Sequence, residues 1–190
     1  MLRLCVAAAA CALPLRTQAL ESDLLRAAET VAGVYSSIGV HELGHALVYR
    51  ALGAQDIRID VPRPGTVLGG LTTARFSAPL SPGERQAVAV SGLLAANLAG
   101  ELVLQRRGLH NSAYAQSLLG TAVASNLVHV AQYYGRVRGR NGWAGNDIDE
   151  YELSGGNPHA LSAALVAYSL WTLQRMKKQD VPLFFVNLRF

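Results

Sequence analysis

Charge, cysteine and lysine are what this sequence is short of. Asp, Glu, Lys and Arg make up 16% of its 190 residues, against roughly 25% in ordinary soluble domains. Hydrophobic residues make up 51%, alanine prominent among them. Such a chain is either compact and helical or partly embedded in a bilayer. Its two cysteines, Cys5 and Cys11, both lie near the start. The rest of the sequence has no thiol, so it can build neither a disulfide framework nor a cysteine-based metal site. Any metal must be held by histidine and carboxylate. The basic residues are arginine except for Lys177 and Lys178, and the net charge is +4. The arginines form no stripe interleaved with aromatics, which leaves nucleic-acid binding without support. Their densest group, Arg136, Arg138 and Arg140, falls in a glycine-rich connection and reads as a solvated loop.

Residues 1–19 have the form of a signal peptide. "MLR" is a basic start, "LCVAAAACALPL" an apolar stretch too short to span a bilayer comfortably, and Thr17 and Ala19 supply the small-residue end. An uncleaved anchor is the rival reading. Either implies a chain that is exported, periplasmic or extracellular, or membrane-associated. Residues 20–190 are then a single domain, long enough for a sizeable core.

The apolar spacing predicts a long helix over 23–52, with Val34, Ile38, His41, His45, Val48 and Leu52 at three- and four-residue steps. This places both histidines on the inward stripe. Gly53 is a natural stop. A β-hairpin or pair of short strands follows: Ile57, Ile59 and Val61 alternate, Pro62–Gly65 turns, and Val67 and Leu68 resume. Ser81-Pro82-Gly83-Glu84 fits the start of a second helix running to about Arg107. A third helix covers 111–134 and a last one 158–178, with a polar, glycine-rich loop over 135–157. Within that loop Trp143 reads as an anchoring hydrophobe. The terminal "PLFFVNLRF" reads as an edge strand against the hairpin or a docking tail. The expected fold is α+β: mainly α, with a small hairpin or sheet and one helix packed with about three others. Residues 86–104, with Glu101 the one charge among them, form a borderline membrane-spanning candidate.

The chemistry lies in "GVHELGHALVYRALGA", residues 39–54, which contains His41-Glu42-Leu43-Gly44-His45. Four residues make just over one helical turn, so His41 and His45 point the same way and can reach one ion. Glu42 lies one position round, placed to act as a base on a metal-activated water. Buried without a metal or hydrogen bonds, the two imidazoles and the carboxylate would be costly. Gly44 costs about 1 kcal/mol of helix propensity, which makes sense if something approaches the helix backbone closely.

A catalytic zinc wants a third protein ligand and an open position. The candidates are His110, His129, His159, Glu101, Asp147, Asp149, Glu150 and Glu152. Asp147, in "GNDIDEYE", is favoured, because an acidic cluster in an arginine-biased chain follows a glycine-rich loop that can fold back. The plainer reading of that cluster is a helix N-terminus with favourable acidic residues. Glu101 could instead hydrogen-bond a ligand histidine.

The run "HELGHALV", the hairpin "IRIDVPRPGTVLGGL", the helix "AVAVSGLLAANLAGELV" and "GNDIDEYE" resemble the peptidase domain of FtsH-type zinc metalloproteases. The resemblance covers roughly residues 38–104 and 144–151, and its specific parts are HExxH and NDI. It implies a zincin-like fold and a zinc metalloendopeptidase acting on peptide or protein substrates. His41, His45 and Asp147 would be metal ligands to one catalytic Zn2+, with Glu42 the general base. No ATPase module accompanies these motifs, and residues 106–143 insert extra helical chain between His45 and Asp147. "VHELGHALVYRALGA" is also similar to the first catalytic segment of site-2 proteases, which would imply an intramembrane zinc protease. A non-catalytic, zinc-stabilised binding module is the third alternative.

Overall fold

The computed structural model describes residues 2–135 and 146–184, with side chains from Glu21 onward. Trp143, the Arg136–Arg140 group and residues 185–190 lie outside the described residues. The architecture is mainly helical, with a single two-stranded antiparallel sheet among the described residues. Helix α1 spans Leu2–Ala51, strands β1 and β2 span Gln55–Asp60 and Leu71–Arg75, and α2 spans Pro82–Gln105. After a 3-10 turn at Arg107–Leu109 come α3, Ala113–Tyr134, α4, Asp147–Leu153, and α5, Pro158–Lys178.

The helix ends follow from local chemistry. Gly53 has φ +81°, and it lets Gly53 N–H and Ala54 N–H donate back to the Arg50 and Tyr49 carbonyls at 3.1 and 3.0 Å. That is a Schellman closure, which a residue with a Cβ would strain. The start of α2 is a capping box. Ser81 Oγ accepts from the Glu84 amide, and the Glu84 carboxylate accepts from Ser81 N–H at 2.7 Å. Asn157 caps α5 by accepting from the His159 and Ala160 amides, with Pro158 at the first helical position.

Three expectations are corrected. Helix α1 begins well before residue 23 and runs through the stretch read as a leader. Val67 and Leu68 are 78% and 63% exposed in the connection rather than paired, because β2 begins at Leu71, the partner of Asp60. The loop expected over 135–157 contains α4. Most of the terminal segment lies outside the described residues; within its described part, Leu183 packs beside the core of α2, α3 and α5.

Two apolar clusters hold the helices together. The first joins Val103 and Leu104 of α2, Ala115, Leu118, Leu119 and Val123 of α3, Met176 of α5, and Val181. The second is smaller: Leu93 of α2, Ile148 of α4 and Leu165 of α5, flanked by Val130, Tyr133 and Leu161. Ile148 is fully buried, and burying such a side chain stabilises by about 1.5–3 kcal/mol. It therefore pins the seven-residue α4 against α2 and α5. A polar link crosses the bundle beside these clusters, with the buried Asn126 Nδ2 donating to Asn97 Oδ1 at 2.9 Å and to the buried Ser169 Oγ at 3.3 Å.

Close helix approach places the site. A Cβ at Gly33 would run into the Tyr114 carbonyl of α3 and the Ser117 side chain. At Gly44 it would lie 2.5 Å from the Ser91 carbonyl and 2.7 Å from Ala95 Cβ of α2. The glycine inside the histidine motif thus serves contact between α1 and α2, which explains a residue that helix propensity disfavours.

Candidate metal centre

The buried stripe of α1 carries Gly33, Ser37, His41 and His45 at four-residue steps. Both imidazoles are 8% exposed, as their place on the apolar face required. Their Nε2 atoms face one another at 3.1 Å. Asp147, the first residue of α4, meets them from across the bundle. One carboxylate oxygen lies 3.1 Å from His41 Nε2 and the other 3.4 Å from His45 Nε2. Ligands held about 2.0–2.1 Å from a tetrahedral ion lie roughly 3.3 Å apart. Two imidazoles and one carboxylate form a triangle of about that size here, 3.1 Å between the Nε2 atoms and 3.1 and 3.4 Å from each Nε2 to a different oxygen of Asp147.

The surroundings of His45 fix its tautomer. Its Nδ1–H donates to the Val88 carbonyl of α2 at 2.8 Å, and Ser91 Oγ donates to the same carbonyl at 2.6 Å. A carbonyl can only accept, so Nδ1 carries a proton and Nε2 is the nitrogen whose lone pair is available. Gly92 keeps the space in front of that nitrogen open. A Cβ there would sit on His45 Nε2 and 2.7 Å from His41 Nε2.

Asp147 owes its position to its neighbours in sequence. Asn146 caps α4, its Oδ1 accepting from the Ile148 and Asp149 amides at 2.9 and 3.1 Å. Its Nδ2 donates to the His129 carbonyl of α3 at 3.1 Å. Ile148 anchors the next position in the core. The two readings of the acidic cluster therefore coincide: Asp147 opens a helix N-terminus and also faces the histidine pair.

Electrostatics follow from burial and contact. Burial alone would raise the Asp147 pKa, but hydrogen bonds from His41 and His45 and the charge of His129 hold its carboxyl far below the usual carboxylate range. Burial alone would lower the His45 pKa, yet the Asp147 hydrogen bond and charge, the Val88 carbonyl and Glu42 together raise it. Burial keeps His129 below the usual imidazole range. A metal held through His45 Nε2 would compete with a proton for that nitrogen.

Glu42 is 5% exposed. Thr72 of β2 fixes it, the hydroxyl lying 2.7 Å from Glu42 Oε2 and 3.0 Å from the Glu42 backbone carbonyl. Gly70 brings the strand entry against the carboxylate, and a Cβ there would collide with Glu42 Cγ and Oε1. The hairpin thus serves the site through Thr72 and Gly70.

Of the other candidate ligands, His129 joins the cluster and six do not. One donor atom each from His41, His129 and Asp147 lie within 4.8 Å of one another. His110 Nε2 meets the Leu104 carbonyl at 3.2 Å, and His159 stacks on Tyr134. Glu101 does not support a ligand histidine; Arg175 grips it by two bonds of 2.6 and 2.8 Å, with the guanidinium 4.5 Å from the Trp171 ring centroid. Asp149 is buried on α4, and Glu150 and Glu152 follow it on the same helix. The residues that sequence reasoning missed are Val88, Gly92, Thr72, Gly70 and Asn146. Of these, Asn146 had a local signal, an Asx residue directly before an acidic first turn.

No protein-family model, curated protein or solved structure matches this chain.

Proposed function

We propose that this chain is a zinc-dependent metallopeptidase of the HExxH type, with His41, His45 and Asp147 as metal ligands and Glu42 as general base. The observation that carries the reading is the triangle of two Nε2 atoms and one carboxylate at ligand-to-ligand spacing. The donor set suits the ion, since zinc accepts imidazole and carboxylate in a site without thiols. When bound, zinc supplies Lewis acidity that polarises a carbonyl and brings a water's pKa toward about 7.

The chain's own residues do the rest. The Val88 carbonyl keeps the His45 proton on Nδ1. Glu42, held through Oε2 by Thr72, takes the proton from the attacking water and passes it to the leaving amine. A second reading, an intramembrane peptidase of site-2 type, draws support from α2. That helix is long and apolar enough to cross a membrane by length and composition, and Leu94, Leu98 and Leu102 stand exposed along one side of it.

Two measurements test the proposal. Elemental analysis of the purified chain should find about one zinc, lost in His45→Ala. Hydrolysis of a quenched-fluorescent peptide library should fall by about 10²–10⁴-fold in Glu42→Gln, with zinc retained. Zinc without turnover in either protein would favour the non-catalytic module. No zinc uptake by folded wild-type chain would sink the proposal. Extraction only with detergent would favour the site-2 reading over a soluble enzyme.

A further inference from the structure

The triangle accounts for His41, His45 and Asp147 but leaves a fourth side chain beside them. His129 comes from α3, an element that carries no part of the HExxH motif. Its ring centroid is 5.5 Å from that of His41. Its Nδ1 is 3.9 Å from Asp147 Oδ2, and it is buried with no hydrogen-bond partner among the described residues. That gap is too long for a hydrogen bond, and it exceeds by about half an ångström the spacing of two ligands on one tetrahedral ion. A small rotation of the ring closes the difference. The placement is also enforced. Asn146 donates to the His129 carbonyl while capping the helix that begins at Asp147, so one side chain sets both donors relative to each other. An imidazole nitrogen held out of water beside a carboxylate, with nothing to bond, lacks the partner that buried polar atoms ordinarily have.

We propose that His129 is a fourth donor to this centre, closing the resting metal-loaded site with three imidazoles and one carboxylate. This rests on the metal-site reading above and adds a gate to it. With a metal bound, His129 would take the position that a water or a substrate oxygen would otherwise occupy.

The test is Co2+ titration of the metal-stripped full chain, followed by visible absorption and by competition with a chelator. Wild type, His129→Ala, His129→Gln and His45→Ala are compared, with circular dichroism to confirm folding. Wild type should bind one Co2+ with the intense bands of a four-coordinate site. His129→Ala and His129→Gln should still bind one, with weaker, shifted bands. Their affinity should be lowered beyond the roughly 10–100-fold that loss of an outer hydrogen-bond partner gives. Added imidazole should restore the wild-type spectrum in His129→Ala. An unchanged spectrum in both His129 variants overturns the inference even if affinity falls, because it places His129 outside the coordination shell. Failure of wild type itself to bind Co2+ removes the metal-site reading, and the fourth donor with it.

Discussion

Gly92→Ala should abolish metal binding while leaving a folded chain, and the size of the effect can be worked from the geometry. The new methyl would lie 2.7 Å from His41 Nε2 and closer still to His45 Nε2, where ordinary contact begins near 3.4 Å. Both overlapped atoms are the nitrogens offered to the ion, so relief means turning both rings away from Asp147 or parting α1 from α2. Overpacking of this kind costs about 1–3 kcal/mol, while replacing a mid-helix glycine with alanine returns about 1 kcal/mol. The metal-free variant should therefore be less stable by about 0–2 kcal/mol. In a domain of this size each kcal/mol moves Tm by about 2–4 °C. Zinc at a hundredfold excess over Kd stabilises wild type by about 2.7 kcal/mol, a rise of roughly 5–11 °C on the same conversion. The assay is thermal unfolding of both proteins after chelation, with and without added zinc. Wild type should show the rise and Gly92→Ala none. An equal zinc-induced rise in the variant would refute the claim that Gly92 keeps the ligand face open.

In metal-free protein, Asp147→Asn should cost most stability at mildly acidic pH. The raised His45 pKa gives a contribution that is full below its unfolded value of about 6.5 and lost as pH rises through the folded value. The depressed Asp147 pKa gives one present above about 3.8 and lost as pH falls toward the folded value. The Tm difference between wild type and Asp147→Asn, measured in chelator from pH 3 to 9, should peak near pH 4–6.5 and shrink on both sides; a flat difference would count against the ion pair. Asn146→Ala removes the α4 cap and the tie to His129. It should lower stability by about 1 kcal/mol and zinc affinity by about 10–100-fold, both read from one chelator-competition and unfolding series; undiminished affinity would mean that Asp147 does not depend on the cap. Chelation of wild type should leave far-ultraviolet circular dichroism unchanged, because both apolar clusters are built from residues other than the proposed ligands. Loss of helicity on chelation would show that the metal folds the chain.

The parts of the fold that were legible in sequence are those with local causes. The capping box at Ser81–Glu84, the Gly53 stop and the Asn157-Pro158 start are each set by a few adjacent residues. The elements were therefore readable to within a turn, the start of α1 excepted. Helix α4 was not, because seven residues between glycine-rich flanks have no helical stability of their own. It exists through the Asn146 cap and the burial of Ile148 against Leu93 and Leu165, contacts that cross three helices. The start of the second strand is not legible locally, because its register is set by pairing with β1 and the apolar Val67 and Leu68 just before it carry the same signal. In the site, His41, Glu42 and His45 were legible because one helical turn brings them together. The place of Asp147 was inferable from composition. That of His129 was not, since a single histidine in an apolar helix carries no spacing of its own.

The site is built from parts of unequal rigidity. His41 and His45 share one long helix whose approach to α2 is set by Gly44 and Gly92, and the Val88 carbonyl locks one imidazole in place. Their geometry is settled by backbone packing before any third group arrives. Asp147 comes from roughly a hundred residues further along the chain, a closure whose entropic cost grows only slowly with length. It is held by the Asn146 cap and its bond to the His129 carbonyl, by the buried Ile148, and at the far end of α4 by Gln86 donating to the Ser154 carbonyl. The carboxylate is thus the member most able to shift, and its ion pair with the histidines is what keeps it near the position a metal would require. On the metal-site reading such a face is largely preformed, so less of a metal's affinity would go to ordering the protein. Because Asn146 both caps α4 and bonds to the His129 carbonyl, it is the position, rather than the histidines, where small changes in packing would tune affinity in the metal-site reading.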